Sequence, residues 1–241
     1  MKAKTASGRS AHTAGGRRIA LFGGTFDPIH SGHISVARAA ERRFHLDCVF
    51  FIPSSRPPHK SAAELCAYEH RFAMVALACS EHRRFVPSLA EASVNGAGPA
   101  VFYSIDTVRR FRRQFNQAND HIYFIVGADS FLHLKTWKDY VELLQCCDFV
   151  VANRPGFQIR RLREIIPPEL LAPSAAKQSR DSRVIRLRDT SVYLLETVAS
   201  HVSATDVRQR VEGGRSVHGL VPPRVEEYIT KQELYKQALY T

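Results

Sequence analysis

Apolar and polar positions follow two patterns along this chain. Short continuous apolar runs predict buried strands over residues 18–22, 48–52, 85–86, 122–126, 149–152 and 184–187. Apolar residues three or four apart predict helices over residues 34–44, 68–80, 103–115, 141–146, 204–211, 223–230 and 231–239. A strand followed by a helix, several times over, is typical of an α/β protein with a doubly wound parallel sheet. The helices at the end of the chain predict a small helical C-terminal part.

The helical periodicity also predicts which side chains enter the core. In the first helix the expected buried face consists of Ile34, Ala37, Ala40 and Phe44. In the second helix it consists of Phe72, Val75, Ala76 and Cys79. The third helix carries four arginines that are expected to lie mostly in water, namely Arg109, Arg110, Arg112 and Arg113.

The first strand leads into the run GGTFDPIHSGH, residues 23–33, which has two adjacent glycines and two histidines three positions apart. Ligands of doubly wound sheets bind beyond the carboxyl ends of the strands, which is where this run falls. A metal site would need a third ligand, and no nearby Glu-x-x-His pair or cysteine cluster supplies one. Glycine amides, a helix start and two imidazoles favour a phosphate site instead. The run is nevertheless neither the G-x-G-x-x-G dinucleotide fingerprint nor a P-loop.

The charge balance is basic, with a formal net charge of +11 from 34 Lys and Arg against 23 Asp and Glu. The first eighteen residues contain basic side chains and no acid, and they lack the apolar centre of a secretory signal. Residues 1–17 are interpreted as a disordered basic tail or a misassigned start, with an organelle transit peptide as the alternative. A second basic stretch, residues 160–188, would suit a polyanion such as nucleic acid or nucleotide phosphates.

Other features of the composition narrow the class of protein. No apolar stretch reaches the roughly 18 residues of a membrane span, and the 5 cysteines show no Cys-x-x-Cys spacing. We therefore expect free thiols, no zinc site, no membrane association and a cytoplasmic location. The basic stretches come without a zinc-finger or aromatic RNP-type signature, so a nucleic-acid-binding protein is a minor alternative and no nucleic-acid partner is expected.

The run over residues 23–33 resembles a known family signature. His30-Ser31-Gly32-His33 is similar to the H-x-G-H motif of nucleotidyltransferases, and the whole run resembles bacterial nicotinate-nucleotide adenylyltransferases. More segments resemble that family in the same order: PSSRPPHK at 53–60, YSIDT at 103–107, FIVGADS at 124–130, Trp137, NRPG at 153–156 and VSATDVR at 202–208. The resemblance implies one Rossmann-like nucleotidyltransferase domain of the H-x-G-H type over residues 18–241.

Some stretches depart from the family pattern. The tail before Arg17 is extra, and residues from about 156 to 190 are expected to form an irregular insertion. Ser104 stands where threonine is more usual but keeps the hydroxyl, whereas Ala204 replaces a serine. The helical C-terminal part is expected over about residues 203–241.

The resemblance implies a reaction and a set of site residues. AMP would pass from ATP to nicotinate mononucleotide, giving nicotinate adenine dinucleotide and pyrophosphate in NAD biosynthesis. Mg²⁺ would accompany ATP through phosphates and water, without a metal ligand set in the protein. ATP binding falls to Gly23, Gly24, Thr25, Phe26, His30, His33, Lys60, Gly127, Asp129, Ser203, Thr205 and Arg208. Nicotinate mononucleotide binding falls to Thr25, Tyr103, Ser104, Trp137 and Arg154, and catalysis to His33 and His30.

Several assignments stay open at this level. Asp129 would accept from the ribose hydroxyls, which we favour, or hold magnesium-bound phosphates. Trp137 belongs to the core or stacks on the nicotinate ring. Residues 53–60 could be only a stiff solvated turn, and Ser203 only a helix cap. The alternative function is a sister adenylyltransferase acting on nicotinamide mononucleotide, and the sequence does not decide between a monomer and a homo-oligomer.

Overall fold

A central sheet of seven strands organises the chain in the computed structural model, which describes residues 16–55, 65–92, 102–153, 158–173, 183–196 and 202–236. The strands are β1 (Arg18–Gly24), β2 (Cys48–Pro53), β3 (Phe85–Pro87), β4 (His121–Gly127), β5 (Asp148–Asn153), β6 (Val184–Arg186) and β7 (Ser191–Glu196). Their order is β3-β2-β1-β4-β5-β7-β6, and neighbours are parallel except β6 and β7. The predicted doubly wound parallel sheet is confirmed.

The sheet grows in opposite directions from β1. Strands β2 and β3 add on one side of β1, whereas β4, β5 and β7 add on the other. In the paired register Phe22 lies opposite Ile125 of β4, and Gly24 lies opposite Pro53 of β2. The crevice outside the carboxyl ends of β1 and β4 is the usual ligand position of such a sheet. The run over residues 23–33 begins there.

Helices cover both faces of the sheet. In the described part of the chain they are α1 (Ser31–Phe44), α2 (Tyr68–Cys79), α3 (Ser104–Gln114), α4 (Ala128–Leu132), α5 (Tyr140–Cys146), α6 (Arg160–Arg163), α7 (Ala204–Glu212) and α8 (Pro223–Lys231). Because side chains alternate along a strand, Ile19 and Leu21 of β1 pack in the layer of α3 to α6. Ala20 and Phe22 pack in the layer of α1, α2, α7 and α8.

The predicted buried faces of α1 and α2 agree with the structure to different extents. The face of α1 is confirmed, because its buried residues are Ile34, Ala37, Ala40 and Phe44. The face of α2 is partly wrong, because Phe72 and Ala76 are only half-buried. The buried residues of α2 are Arg71, Met74, Val75, Ala78 and Cys79. This helix contacts α8 as well as the sheet, so helical spacing alone does not identify the side that is covered most.

The stretch expected to be an irregular insertion contributes to the core where it is described. Leu162 of α6, Ile166 and Leu170 are buried in the layer of α3 to α6. Strand β7 was not predicted, although it lies inside the sheet between β5 and β6. Its sequence SVYLLE contains a continuous apolar run at residues 192–195, which is a strand signal that the prediction overlooked.

The two ends of the described chain also differ from expectation. Arg17, assigned to the tail, forms an ion pair with Asp120 at 2.5 Å, so this residue is attached to the folded domain. The helix expected over residues 231–239 is not formed in its described part, because α8 ends at Lys231 and residues 232–235 are turns. All five cysteines are free thiols, as predicted. None of the described helices combines the length and apolar character needed to cross a membrane.

Candidate active site

The glycine turn that follows β1 is shaped by one aromatic side chain. Phe26 has left-handed backbone geometry (φ 49°) and is 2% exposed. Its ring folds back over the turn, so that a Cβ atom built on Gly24 would lie 2.9 Å from the ring. Gly23 has no such conflict, since its Cβ would be 3.8 Å from the nearest atom. Gly24 is therefore required by the protein itself, and the turn leaves its backbone near the carboxyl edge of the sheet.

His30 and His33 form a stacked pair at the start of α1. His30 is the N-cap residue, and the two ring centroids are 3.7 Å apart with an interplanar angle of 29°. The backbone N–H of His30 donates to Nδ1 of His33 at 3.2 Å. The neutral His33 ring therefore carries its proton on Nε2, which is available as a donor. The Phe26 ring meets His33 edge-on at 5.0 Å and fixes the other side of the pair.

Both imidazoles are uncharged in the free chain at neutral pH. Burial lowers the pKa of His30 to about 4. Burial, and then the charge of His30, lower the pKa of His33 well below its ordinary value. In the free protein these rings therefore bring no positive charge of their own to the site. They enter as neutral donors, and a bound polyanion would raise both pKa values.

One polar atom of the pair is left without a partner. Nδ1 of His30 is buried and makes no hydrogen bond within the described residues. A buried polar atom without a partner costs roughly 1–3 kcal/mol, so such atoms are uncommon outside functional sites. We therefore regard Nδ1 of His30 as a candidate ligand contact.

The C-terminal part of the chain is attached to the same loop. Nη1 of Arg208 donates to the backbone oxygen of Asp27 at 2.6 Å, and its Nη2 donates to Oγ1 of Thr205 at 3.3 Å. Ser203 caps α7, because its Oγ accepts from the N–H of Asp206 at 3.0 Å. The start of α7 therefore lies beside the histidine motif, as the predicted ATP site requires, and Ser203 is a helix cap whatever else it does.

Three of the five predicted pyridine-side residues lie on the side of the sheet covered by α3 to α6, namely Tyr103, Ser104 and Trp137. Tyr103 is the N-cap residue of α3 and is 43% exposed, and Ser104 begins the helix. Nζ of Lys138 lies 4.6 Å from the centre of the Tyr103 ring, which brings the neighbouring Trp137 to the start of α3. Trp137 is half-buried and meets Phe124 edge-on at 6.2 Å. The Trp137 side chain therefore packs against the core with one part and leaves another part exposed to a ligand.

Gly127 and Asp129 lie where β4 meets α4. Gly127 ends the strand, while Asp129 lies in the first turn of α4 and is exposed. A Cβ atom on Gly127 would meet no atom within 4 Å. Nothing in the described chain therefore requires glycine at this position, in contrast to Gly24. Lys60 and Arg154, two predicted ligand contacts, lie outside the described residues.

Sequence reasoning missed the roles of Asp27, Tyr235 and Arg71, whose side chains hold this edge together. Asp27, which is 1% exposed, accepts from the Tyr235 hydroxyl at 2.7 Å and from the Cys66 N–H at 3.4 Å. Arg71 is buried on α2 and donates to backbone oxygens of the site loops. The signal that the sequence offered was a charged residue, Arg71, beside the predicted apolar face of α2.

The described residues offer no preformed metal centre. No group of three or more His, Cys, Asp or Glu side chains comes together in this part of the chain. Asp27 is already committed to two donors, and Asp129 stands alone in water. Nucleotide phosphates are therefore the ligands that these donors fit best, since the described contacts are N–H groups and imidazoles.

Comparison with known proteins defines the class. The cytidylyltransferase-like family model matches residues 21–210. The chain belongs to this family of nucleotidyltransferases. A structure of Plasmodium falciparum nicotinic acid mononucleotide adenylyltransferase complexed with NaAD has the same fold, with a TM-score of 0.66 at 16% identity over 91% of this chain and 97% of that one.

Curated relatives define the particular family. A probable nicotinate-nucleotide adenylyltransferase of Moorella thermoacetica is 39% identical over 92% of this chain and 93% of its own length. One of Geobacter sp. (strain M21) is 37% identical over 92% of this chain and 99% of its own length. The chain belongs to the nicotinate-nucleotide adenylyltransferases.

Proposed function

We propose that this protein transfers AMP from ATP to nicotinate mononucleotide, forming nicotinate adenine dinucleotide and pyrophosphate. The observation that carries the proposal is the stacked pair His30 and His33, at a helix start beside a glycine turn and at the point where the sheet reverses. Such a site binds phosphates through N–H donors. The family membership names the two nucleotides.

Adenylyl transfer requires the two substrates to be positioned in line and does not require a general base. An oxygen of the mononucleotide 5′-phosphate attacks the α-phosphorus of ATP and forms the new P–O bond. The bond from the α-phosphorus to the bridging oxygen breaks, and its electron pair leaves with pyrophosphate. The attacking phosphate is already an anion, so the protein contributes alignment and stabilisation of the charge that spreads over the α-phosphate.

The histidine pair meets this need with neutral donors. Nε2 of His33 carries a proton and donates to an α-phosphate oxygen, while Nδ1 of His33 is held by the His30 N–H at 3.2 Å. His30 contributes its unpaired Nδ1 to the same phosphate. Fixed donors of this kind lower a barrier because they need no reorganisation when charge develops.

The remaining predicted residues divide between the two substrates. The turn at Gly23, Gly24 and Thr25 and the start of α7 at Thr205 and Arg208 face the triphosphate. Mg²⁺ arrives with ATP as part of that substrate and is held by its phosphates and by water. Adenosine lies against Gly127 and Asp129. The pyridine ring lies against Tyr103, Ser104 and Trp137.

Pyrophosphate release tests the assignment directly. The parent protein with MgATP and nicotinate mononucleotide is compared with His33→Ala and with His82→Ala, a control near the amino end of β3 at the opposite edge of the sheet. Loss of His33 should lower kcat by about 10²- to 10³-fold, as for other oxyanion donors. The control should keep the parent rate. An inactive parent, or a fully active His33→Ala, contradicts the proposal.

Measurements with both mononucleotides distinguish the proposed reaction from the sister reaction on nicotinamide mononucleotide. The two mononucleotides differ only in a carboxylate against a carboxamide on the pyridine ring. The ratio of kcat/KM for the acid over the amide, measured with the same enzyme, decides between them. A preference for the amide would reassign the substrate while leaving adenylyl transfer intact.

A further inference from the structure

Arg71 is a buried cation at the base of the phosphate-facing edge. It lies in the first turns of α2 and is 1% exposed. Its guanidinium donates to four backbone oxygens: Nη1 to Thr25 at 2.7 Å and Ser54 at 2.8 Å, Nη2 to Ser55 at 3.2 Å, and Nε to Cys66 at 3.0 Å. Burial lowers the pKa of Arg71, and the charge of Asp27 opposes that effect. Arginine nevertheless stays charged in proteins.

The four acceptors belong to separate segments that meet at one edge of the sheet. Thr25 follows β1 and precedes the histidine motif, whereas Ser54 and Ser55 follow β2. Cys66 precedes α2. The Ser54 N–H also donates to the Gly24 oxygen at 2.8 Å, so the first two loops are tied twice. Arg71 is the group that holds all of them in one arrangement.

The direction of the carbonyl groups determines the direction of the amides. In a trans peptide the C=O and the following N–H point in opposite directions. Because the Thr25 oxygen points at Arg71, the Phe26 N–H points away from it. We find no hydrogen bond from the Phe26 N–H among the described residues. Phe26 also has the costly left-handed backbone (φ 49°), which persists only where the surrounding structure holds it, and such strain is common at functional sites.

We propose that Arg71 is a positioning residue of the phosphate site, which turns backbone carbonyls inward so that the Phe26 amide faces the incoming nucleotide phosphate. It acts through the backbone and does not touch the substrate. The inference rests on the proposed function for the identity of the anion. A lysine could not replace it, because an ammonium group has three donors on a flexible stem and lacks the planar fork that reaches four oxygens.

Kinetics of Arg71→Lys against a matched control test the role. The control is Met74→Ala, which shortens a fully buried side chain of the same helix that has no N–H group to donate to the loop carbonyls. Both variants are assayed well below their unfolding temperatures, so that loss of folded protein does not enter the rates. We expect kcat/KM for MgATP to fall by about 100-fold in Arg71→Lys. KM for nicotinate mononucleotide should stay within about threefold, since Phe26 is assigned to the ATP side of the site.

Comparison with the control variant Met74→Ala shows which results would contradict the inference. Met74→Ala should unfold at a lower temperature and keep the parent values of kcat and both KM values. If Arg71→Lys behaves in the same way, Arg71 serves stability alone and the inference is wrong. The same holds if Met74→Ala loses as much kcat/KM as Arg71→Lys, because general loosening would then explain both.

A measurement on the parent protein covers the case in which Arg71→Lys does not fold. The chain has 14 phenylalanines, so selective ¹⁵N labelling gives a simple amide spectrum, in which Phe26→Leu identifies the Phe26 signal. Titration with the magnesium complex of α,β-methylene-ATP should move this signal downfield more than any other. An unmoved Phe26 amide in the presence of bound analogue overturns the inference. This titration needs no pyridine substrate, so inactivity with both mononucleotides would refute the proposed function separately.

Discussion

Two buried groups should make the stability of this protein depend on pH in opposite ways. His30 lies at the start of α1, and burial lowers its pKa from 6.5 to about 4. Glu91, which is 9% exposed and accepts from Thr107 Oγ1 at 2.9 Å, has its pKa raised by burial from 4.5 to about 7. We expect the variants His30→Asn and Glu91→Gln to separate the two effects.

The sign for each group follows from which state binds the proton. Below pH 6.5 the unfolded chain protonates the histidine and the folded chain does not, so stability falls as the pH drops toward 4. Above pH 4.5 the folded chain keeps the proton on Glu91 and the unfolded chain releases it, so stability falls as the pH rises toward 7. The two slopes therefore oppose each other in the wild-type protein.

The magnitude follows from the displacement of each pKa. A displacement of about 2.5 pH units, at about 1.4 kcal/mol per unit, amounts to about 3 kcal/mol for each group. About 2 kcal/mol of this falls between pH 7.5 and pH 5 in both cases, with opposite sign. From pH 7.5 to pH 5, His30→Asn should thus gain about 2 kcal/mol relative to wild type, and Glu91→Gln should lose about 2 kcal/mol.

Urea unfolding at a series of pH values from 5 to 7.5 measures these differences. Only the change of each difference with pH counts, because each substitution also alters stability by a pH-independent amount. Curves that run parallel to wild type for both variants, or that diverge in the same direction, would refute the reasoning about burial at the two sites.

Three further predictions concern the site. Gly24→Ala should lower the free energy of unfolding by about 1–3 kcal/mol, since its Cβ would lie 2.9 Å from the Phe26 ring, whereas Gly127→Ala should leave it within about 1 kcal/mol and raise KM for MgATP. Equal stability losses in urea would contradict this. Trp137→Ala should raise KM for nicotinate mononucleotide up to about tenfold with KM for MgATP unchanged, as steady-state kinetics would reveal. Tyr235→Phe should cost about 1–3 kcal/mol in thermal or urea unfolding, because buried Asp27 loses a donor; an unchanged midpoint would show that water replaces the hydroxyl.

The periodic elements were predictable because their patterns are local. The buried face of α1 and the apolar runs of β1, β2, β4 and β5 are visible within a few residues of sequence. The histidine motif was placed correctly at the carboxyl end of β1 for the same reason. A sheet that alternates strand and helix needs no further information to place its ligand edge.

Other features failed because their cause lies far away in the chain. The position of strand β7 between β5 and β6 depends on pairing with distant segments, which its own apolar run does not specify. The face of α2 depends on α8, which is more than a hundred residues further along the chain. The chain turns after Lys231 and brings Tyr235 to Asp27, a contact that no helical periodicity could predict.

The sequence by itself determined the fold class, the family and the residue types of a phosphate site. Tertiary structure decided the protonation of those residues. Burial makes His30 and His33 neutral, and the hydrogen bond from the His30 N–H to Nδ1 of His33 leaves the His33 proton on Nε2. Tertiary structure also brought the buried guanidinium of Arg71 to four backbone oxygens at this edge of the sheet. The physical reason is that a pKa and a hydrogen-bond direction depend on neighbours in space, which the order of residues does not state.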